Sequence, residues 1–258
     1  MIGEPLETEQ GSYRHLAVEQ TASTNTLCLD YATAGEAGNL WITAESQTGG
    51  KGSRGRDWQS QKGNLFASLL LTNPSEKLRL ADLTFIAALS VREAILNFST
   101  SSDQVEVKWP NDVMLNDRKC SGILLESVHH HEATYVVVGI GVNCQHFPSQ
   151  TLHPSTSLFA EGIEVSSNRF FRTLANTMAN NISFWKSGEK FSEIRSKWLD
   201  CAYKLGSEIS VHIPGESATE GRFASIDENG YMLLELNDGS LRQISTADIF
   251  FKKTEDGQ

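Results

Sequence analysis

The chain has 258 residues, 39% of them hydrophobic, with 20 glycines and six prolines; this excludes a collagen-like or largely disordered chain and fits one large domain, or a domain with a small module. A formal net charge of -10 argues against general nucleic-acid binding, since phosphate contacts demand a basic face. Apolar runs such as Tyr135 to Ile140 fall far short of the roughly 20 residues of a membrane helix, residues 1–11 do not read as a signal peptide, and Cys28, Cys120, Cys144 and Cys201 show no metal-finger spacing, so a cytoplasmic protein with reduced thiols is expected.

In chain order, Tyr13 to Glu19 reads as a short strand, and Ser23-Thr24-Asn25 offers an N-cap for a helix over Thr26 to Ala34, ended by Gly35. Leu40 to Ala44 and Leu65 to Leu71 are strand-like, separated by a long glycine-rich polar segment. Apolar positions from Leu78 to Phe98 fit a buried helix that stops in the serine-rich stretch 99–102. Val105 to Trp109, Val113 to Leu115, Gly122 to Val128 and Thr134 to Val142 predict an antiparallel meander. Helices over Ser167 to Ser187 and Lys190 to Tyr203 are expected to cover one face of the sheet. Short strands from Glu208 to Phe251, with turns at Pro214-Gly215, Asn229-Gly230 and Asp238-Gly239, predict a separate small β-barrel. The expected division is 1–204 and 205–258.

Three segments carry chemistry. Gly49 to Arg56 combines four glycines with Lys51, Arg54 and Arg56, so backbone N–H groups can approach an anion while cations offset its charge. It lacks the GK[ST] ending of a Walker loop, and a solvated surface loop is the plainer reading of the segment in isolation. Lys108-Trp109-Pro110-Asn111-Asp112 ends a strand in a turn and is followed by Lys119, which enters a buried strand and therefore needs an anion or a water-filled cleft. An Asp112–Lys119 structural ion pair would explain both residues. Gly139-Ile140-Gly141-Val142-Asn143 ends an apolar strand with glycines, which signals either close approach of another group or a bulge.

Taken in order, Ser23-Thr24-Asn25, the segment from Glu45 to Trp58, Lys108 to Asp112, Arg118 to Leu124 and Gly139 to Asn143 resemble the catalytic domain of the biotin protein ligases. The resemblance implies an α+β fold of the class II aminoacyl-tRNA-synthetase-like type, a mixed and largely antiparallel sheet flanked by helices, with a small C-terminal SH3-like β-barrel. It implies that biotin and MgATP form biotinyl-5'-AMP, which acylates one lysine of a biotin carboxyl carrier protein domain. Ser23, Thr24, Asn25, Gln47, Gly50, Lys51, Gly52, Ser53, Lys119, Gly122 and Gly141 would lie around biotin. Arg54, Arg56, Trp58, Lys108, Asn111 and Asn143 would lie on the adenylate and ATP side. Lys119 and Asp112 would be the catalytic pair, with Mg²⁺ held through Asp112. A monomer or homodimer is expected, without DNA or membrane partners.

Where the family commonly reads GRGRxxR, this chain has Lys51 and Ser53 in place of two arginines. Lysine keeps the charge without the planar fork, and serine loses the charge. Weaker retention of the adenylate is expected unless Arg54 or Arg56 compensates, and about twenty residues before Ser23 are too few for a winged-helix domain. His129-His130-His131 reads as a solvated turn, Cys120 as a packing residue, and Trp58 or Trp109 as a candidate for stacking on adenine. Two other readings stay open: a lipoate ligase or octanoyl transferase, and a non-catalytic biotin-binding protein on the same fold.

Overall fold

The computed structural model describes residues 2–99, 104–149, 151, 154–213 and 215–251. The chain begins with a hairpin of β1 (Glu4–Thr8) and β2 (Gly11–Thr21) in which Leu6 pairs with Tyr13. Alternation in the sequence announced only part of β2. Strand β1 gave no such signal, because Leu6 is its one buried side chain among Glu4, Pro5 and Glu7. Strand β2 crosses through α1 (Thr24–Thr33) to β3 (Leu40–Gln47), with which it pairs in parallel.

The remaining ladders of the main sheet are antiparallel, and the order is β1-β2-β3-β4-β8-β7-β6-β5. Here β4 is Leu65–Thr72, β5 Val105–Lys108, β6 Asp112–Leu115, β7 Arg118–His130 and β8 Ala133–Val142. Period-two alternation divides the central strands between two apolar layers. Leu40, Ile42 and Leu70 meet Cys28 and Ala32 of α1 on one face. Trp41, Leu69 and Leu71 meet helices α2 (Asp82–Leu96) and α3 (Ser167–Trp185) on the other. Strand β4 is therefore apolar nearly throughout, since both its faces are covered. The helix expected over 78–98 starts later, at Asp82, because 77–79 form a single 3-10 turn with Leu78 exposed. Its expected stop at 99–102 lies mostly outside the described residues.

Helix α4 (Phe191–Leu199) leads to a five-stranded antiparallel sheet of order β12-β11-β10-β9-β13. These strands are β9 (Glu208–His212), β10 (Thr219–Ile226), β11 (Met232–Glu235), β12 (Leu241–Ile244) and β13 (Asp248–Phe251). The two predicted glycine turns join β10 to β11 and β11 to β12, with Gly230 at φ 80° and Gly239 at φ 81°. Pro214, in the third predicted turn, lies outside the described residues. The architecture is the expected α+β one. Among the described residues no helix is long and apolar enough to cross a membrane.

Candidate active site

The start of α1 builds the inner pocket. Ser23, Thr24 and Asn25 are buried at 3–4% exposure, yet Ser23 makes no side-chain capping bond, so its hydroxyl is not committed to the helix. The Thr24 N–H, an amide without an intrahelical partner, donates to Gln47 Oε1 at 2.8 Å. The Gln47 amide nitrogen donates to Ser60 Oγ at 2.9 Å, and the Ser60 hydroxyl donates to the Trp58 carbonyl at 2.9 Å. Gln47 thus fastens the helix start to the returning arm of the glycine-rich segment. Asn25 Nδ2 donates to Glu126 Oε2 at 2.8 Å, while its Oδ1 lies 2.6 Å from Ser68 Oγ.

The strand glycines exist for close approach. A Cβ on Gly139 would stand 2.1 Å from Asn25 Oδ1, and one on Gly141 would stand 2.5 Å from Trp58 Cε2. Gly141 pairs directly with Gly122 across β7 and β8, so the two make a bare backbone floor for the Trp58 indole. The indole N–H is buried without a hydrogen-bond partner among the described residues. Trp58 lines both the inner pocket, of about 50 Å³, and a second cavity of about 360 Å³.

The glycine-rich segment is an ordered hairpin. Trp58 N–H donates to Gly50 O at 2.9 Å, Gly52 N–H donates to Arg56 O at 2.7 Å, and between them Lys51 and Asp57 face each other as an antiparallel backbone pair. Its tip, Ser53–Gly55, carries Arg54 at φ 61°. The arginines turn toward the C-terminal sheet: Asp248 is 2.6 Å from Arg54 and 3.1 Å from Arg56, and Arg54 donates to Thr246 Oγ1 at 3.1 Å. Lys51 Nζ lies 3.3 Å from Thr26 Oγ1. Arg54 and Arg56, the residues that could compensate for Ser53, thus line the second cavity already paired with Asp248.

The larger cavity is walled by this hairpin, by Lys108 to Asp112 and by 246–249 of the C-terminal sheet. Lys119 Nζ is 2.5 Å from Asp112 Oδ1, and both residues line both cavities. Lys108 is 6% exposed, and burial pulls its ammonium down to about 8, partly opposed by Asp112. Asn111 Nδ2 donates to Ile123 O at 2.6 Å, bracing the turn against β7.

Ser23, Thr24, Asn25, Gln47, Lys51, Gly52, Ser53, Gly122 and Gly141 line the inner pocket, whereas Gly50 packs beside it against Ser60 and Trp58. Arg54, Arg56, Lys108 and Asn143 line the outer cavity, although the Asn143 amide already donates to Thr156 O at 3.0 Å. Trp109 is 3% exposed and its N–H donates to Gly230 O at 3.0 Å, which makes it an anchor for the C-terminal sheet. Cys120 is fully buried, which pushes its thiol up and leaves it inert. His129 Nδ1 lies 3.2 Å from Thr134 Oγ1 across the hairpin. Sequence reasoning missed Ser68, Glu126 and Asp248. Ser68 had a signal, a hydroxyl inside the apolar run LFASLLLT, whereas Asp248 had none, its partners being 192 and 194 residues away.

The chain is similar to known proteins along nearly its whole length. Residues 17–143 match the Biotin/lipoate A/B protein ligase family and residues 204–252 the Biotin protein ligase C terminal domain. A biotin–[acetyl-CoA-carboxylase] ligase of Paracoccus denitrificans is 34% identical over 90% of this chain and 98% of its own length. A bifunctional ligase/repressor of Bacillus subtilis is 27% identical over 95% of this chain and 76% of its own length. The solved biotin protein ligase from Aquifex aeolicus in complex with biotin and ATP superposes with a TM-score of 0.77 at 25% identity, covering 92% of this chain and 98% of that one. With both family models matched and a third of its residues identical to the Paracoccus ligase along nearly the whole length, the chain belongs to the biotin protein ligase family of enzymes.

Proposed function

We propose that the chain activates biotin with ATP as biotinyl-5'-AMP and transfers the biotinyl group to a lysine of the biotin carboxyl carrier protein of acetyl-CoA carboxylase, or of a related biotin-dependent enzyme. The observation that carries this reading is the junction of a small polar pocket and a larger cationic cavity at Lys119, Asp112 and Trp58. Biotin takes the inner pocket among Ser23, Thr24, Asn25 and Gln47, and the nucleotide takes the outer cavity beside Lys108, Asn111, Arg54 and Arg56.

In the first step a biotin carboxylate oxygen attacks the α-phosphorus and pyrophosphate leaves. Negative charge converges at that phosphorus, so the Lys119 ammonium, already fixed beside Asp112, is the group that offsets it. In the second step the neutral amine of the carrier lysine attacks the acyl carbon, AMP leaves with the bonding pair, and the amine proton passes to solvent. Neither step needs an enzyme nucleophile. Asp112 fits Mg²⁺ of the kind held by one carboxylate together with substrate phosphates and water, and among the described residues no cluster of three or more His, Cys, Asp or Glu competes for that role. When bound, the ion neutralises phosphate charge. Of the two expected domains, 1–204 lines the inner pocket and most of the outer cavity, and 205–258 contributes Thr246 to Ile249 to the outer one. A cytoplasmic location goes with this reading, since ATP is a substrate.

ATP–pyrophosphate exchange tests the proposal. Biotin should drive exchange and lipoate should not. Lys119→Ala should lose about 2.7–4 kcal/mol of transition-state stabilisation, roughly 10²–10³-fold in rate. Exchange driven by lipoate, or by neither acid, would sink the reading.

A further inference from the structure

Glu161 is a buried carboxylate that the reaction described above does not use. The Glu161 side chain is 6% exposed, lies 2.9 Å from Arg118 and accepts from Asn116 Nδ2 at 2.5 Å. It also accepts a short hydrogen bond from the Thr156 hydroxyl. A carboxylate so far from water is tolerated only when donors surround it, so this cluster admits few arrangements. Asn116 comes from the turn between β6 and β7, and Arg118 opens β7. Thr156 comes from a separate segment, and that segment runs along Lys119.

The Lys119 N–H donates to Pro154 O at 2.8 Å, and the Thr156 N–H donates to Lys119 O at 2.9 Å. Thr156 is wholly buried, and its carbonyl accepts from Asn143 Nδ2 at 3.0 Å. It is thus held at its N–H, its carbonyl and its hydroxyl. The second constraint on Lys119 matters because the β6–β7 register shifts at this point: Val113 pairs with Ser121 and Met114 with Lys119, so Cys120 is skipped. A bulge re-aims side chains and loosens the ladder around it. The β6 ladder alone therefore does not fix the backbone that carries the Lys119 ammonium, and the Thr156 segment supplies what the bulge removes.

We propose that Glu161 is a positioning residue for the activation step. It acts through Thr156 on the backbone of Lys119 and so sets where the ammonium lies between the two cavities. It touches neither substrate. The inference rests on the reading of Lys119 as the charge that meets the reacting phosphate.

Thr156→Val, nearly isosteric, removes the hydroxyl that Glu161 grips. Pyrophosphate exchange at saturating biotin and ATP should fall about tenfold, within the range that a misplacement of 1 Å can cause, while the KM of each substrate stays within about twofold. Thr156→Ser, which keeps the hydroxyl, should restore the rate. In a Lys119→Ala background, Thr156→Val should change the residual exchange less than twofold, because residues acting as a unit are not additive. Glu161→Gln should repeat this pattern where it folds, and the Thr156 variants carry the test without it. An unchanged rate in Thr156→Val would overturn the inference, as would a tenfold loss that persists in the Lys119→Ala background and so marks a brace of the fold alone. If Lys119→Ala exchanges at the normal rate, the reading of Lys119 fails and this inference falls with it. If Lys119→Ala is impaired and Thr156→Val is not, only the inference fails.

Discussion

Lys108 sits where a charge is costly. At 6% exposure its ammonium is pulled down to about 8 by burial, and among the described residues no carboxylate lies within ion-pair distance of it. A polyphosphate bound in the outer cavity would favour the charged form, so nucleotide affinity should weaken as pH rises through about 8. The KM for ATP, followed from pH 7 to pH 9.5, should rise in the wild type and stay level over that range in Lys108→Arg. A parallel rise in both proteins would detach Lys108 from the nucleotide. The sequence made this lysine a candidate by its place before Trp109-Pro110-Asn111-Asp112. Its burial came from Phe251 and the C-terminal sheet, the ring lying 5.6 Å from the ammonium.

The glycine-rich hairpin gains meaning as an element. Its composition was legible from the start: glycines for approach, cations for an anion. What the sequence left open was the direction of the cations, and Asp248 decides it by taking both Arg54 and Arg56. On the proposed reading both arginines meet the nucleotide already paired with Asp248, Ser53 adds no further guanidinium, and Lys51 is a point charge without the bidentate fork. Ser53→Arg should slow dissociation of biotinyl-5'-AMP, measured by filter retention or by chase with unlabelled biotin. A tenfold slowing corresponds to about 1.4 kcal/mol, close to the lower bound of about 1.5 kcal/mol for a hydrogen bond to a charged group. Equal dissociation rates in the two proteins would show that the hairpin does not hold the adenylate through this position.

Across the whole molecule, the C-terminal sheet is bound into the main core. Gly230, in the β10–β11 turn, accepts from the Trp109 N–H, and a Cβ there would stand 2.6 Å from Phe85 Cε2 of α2. Arg195 of α4 donates to Ile226 O at 2.6 Å in the same region. The apolar cluster runs without a break from Phe85 and Trp198 to Phe223 and Ile226. Gly230→Ala combines overpacking with a left-handed backbone at φ 80°, and should destabilise the protein by about 1–3 kcal/mol. The urea midpoint measures this, and the KM for ATP should rise with it, since Trp109 borders the outer cavity. An unchanged midpoint would mean that the turn can move away from α2 freely.

The sequence by itself determined the central strands, the helices and the order of the motifs, because those signals are local: periodicity of 2 or 3.6, glycine turns, and cations clustered within eight residues. It also determined that Gly139 and Gly141 mark close approach or a bulge. Only the tertiary structure chose between these, by laying Asn25 and Trp58 on them. It likewise decided that Trp109 anchors the C-terminal sheet, that Ser68 and Glu126 set the Asn25 amide, and that Asp248 takes the hairpin arginines. These contacts join residues 43 to 194 positions apart. No pattern along the chain encodes them, because each depends on how the layers pack and on which buried polar group must find a partner.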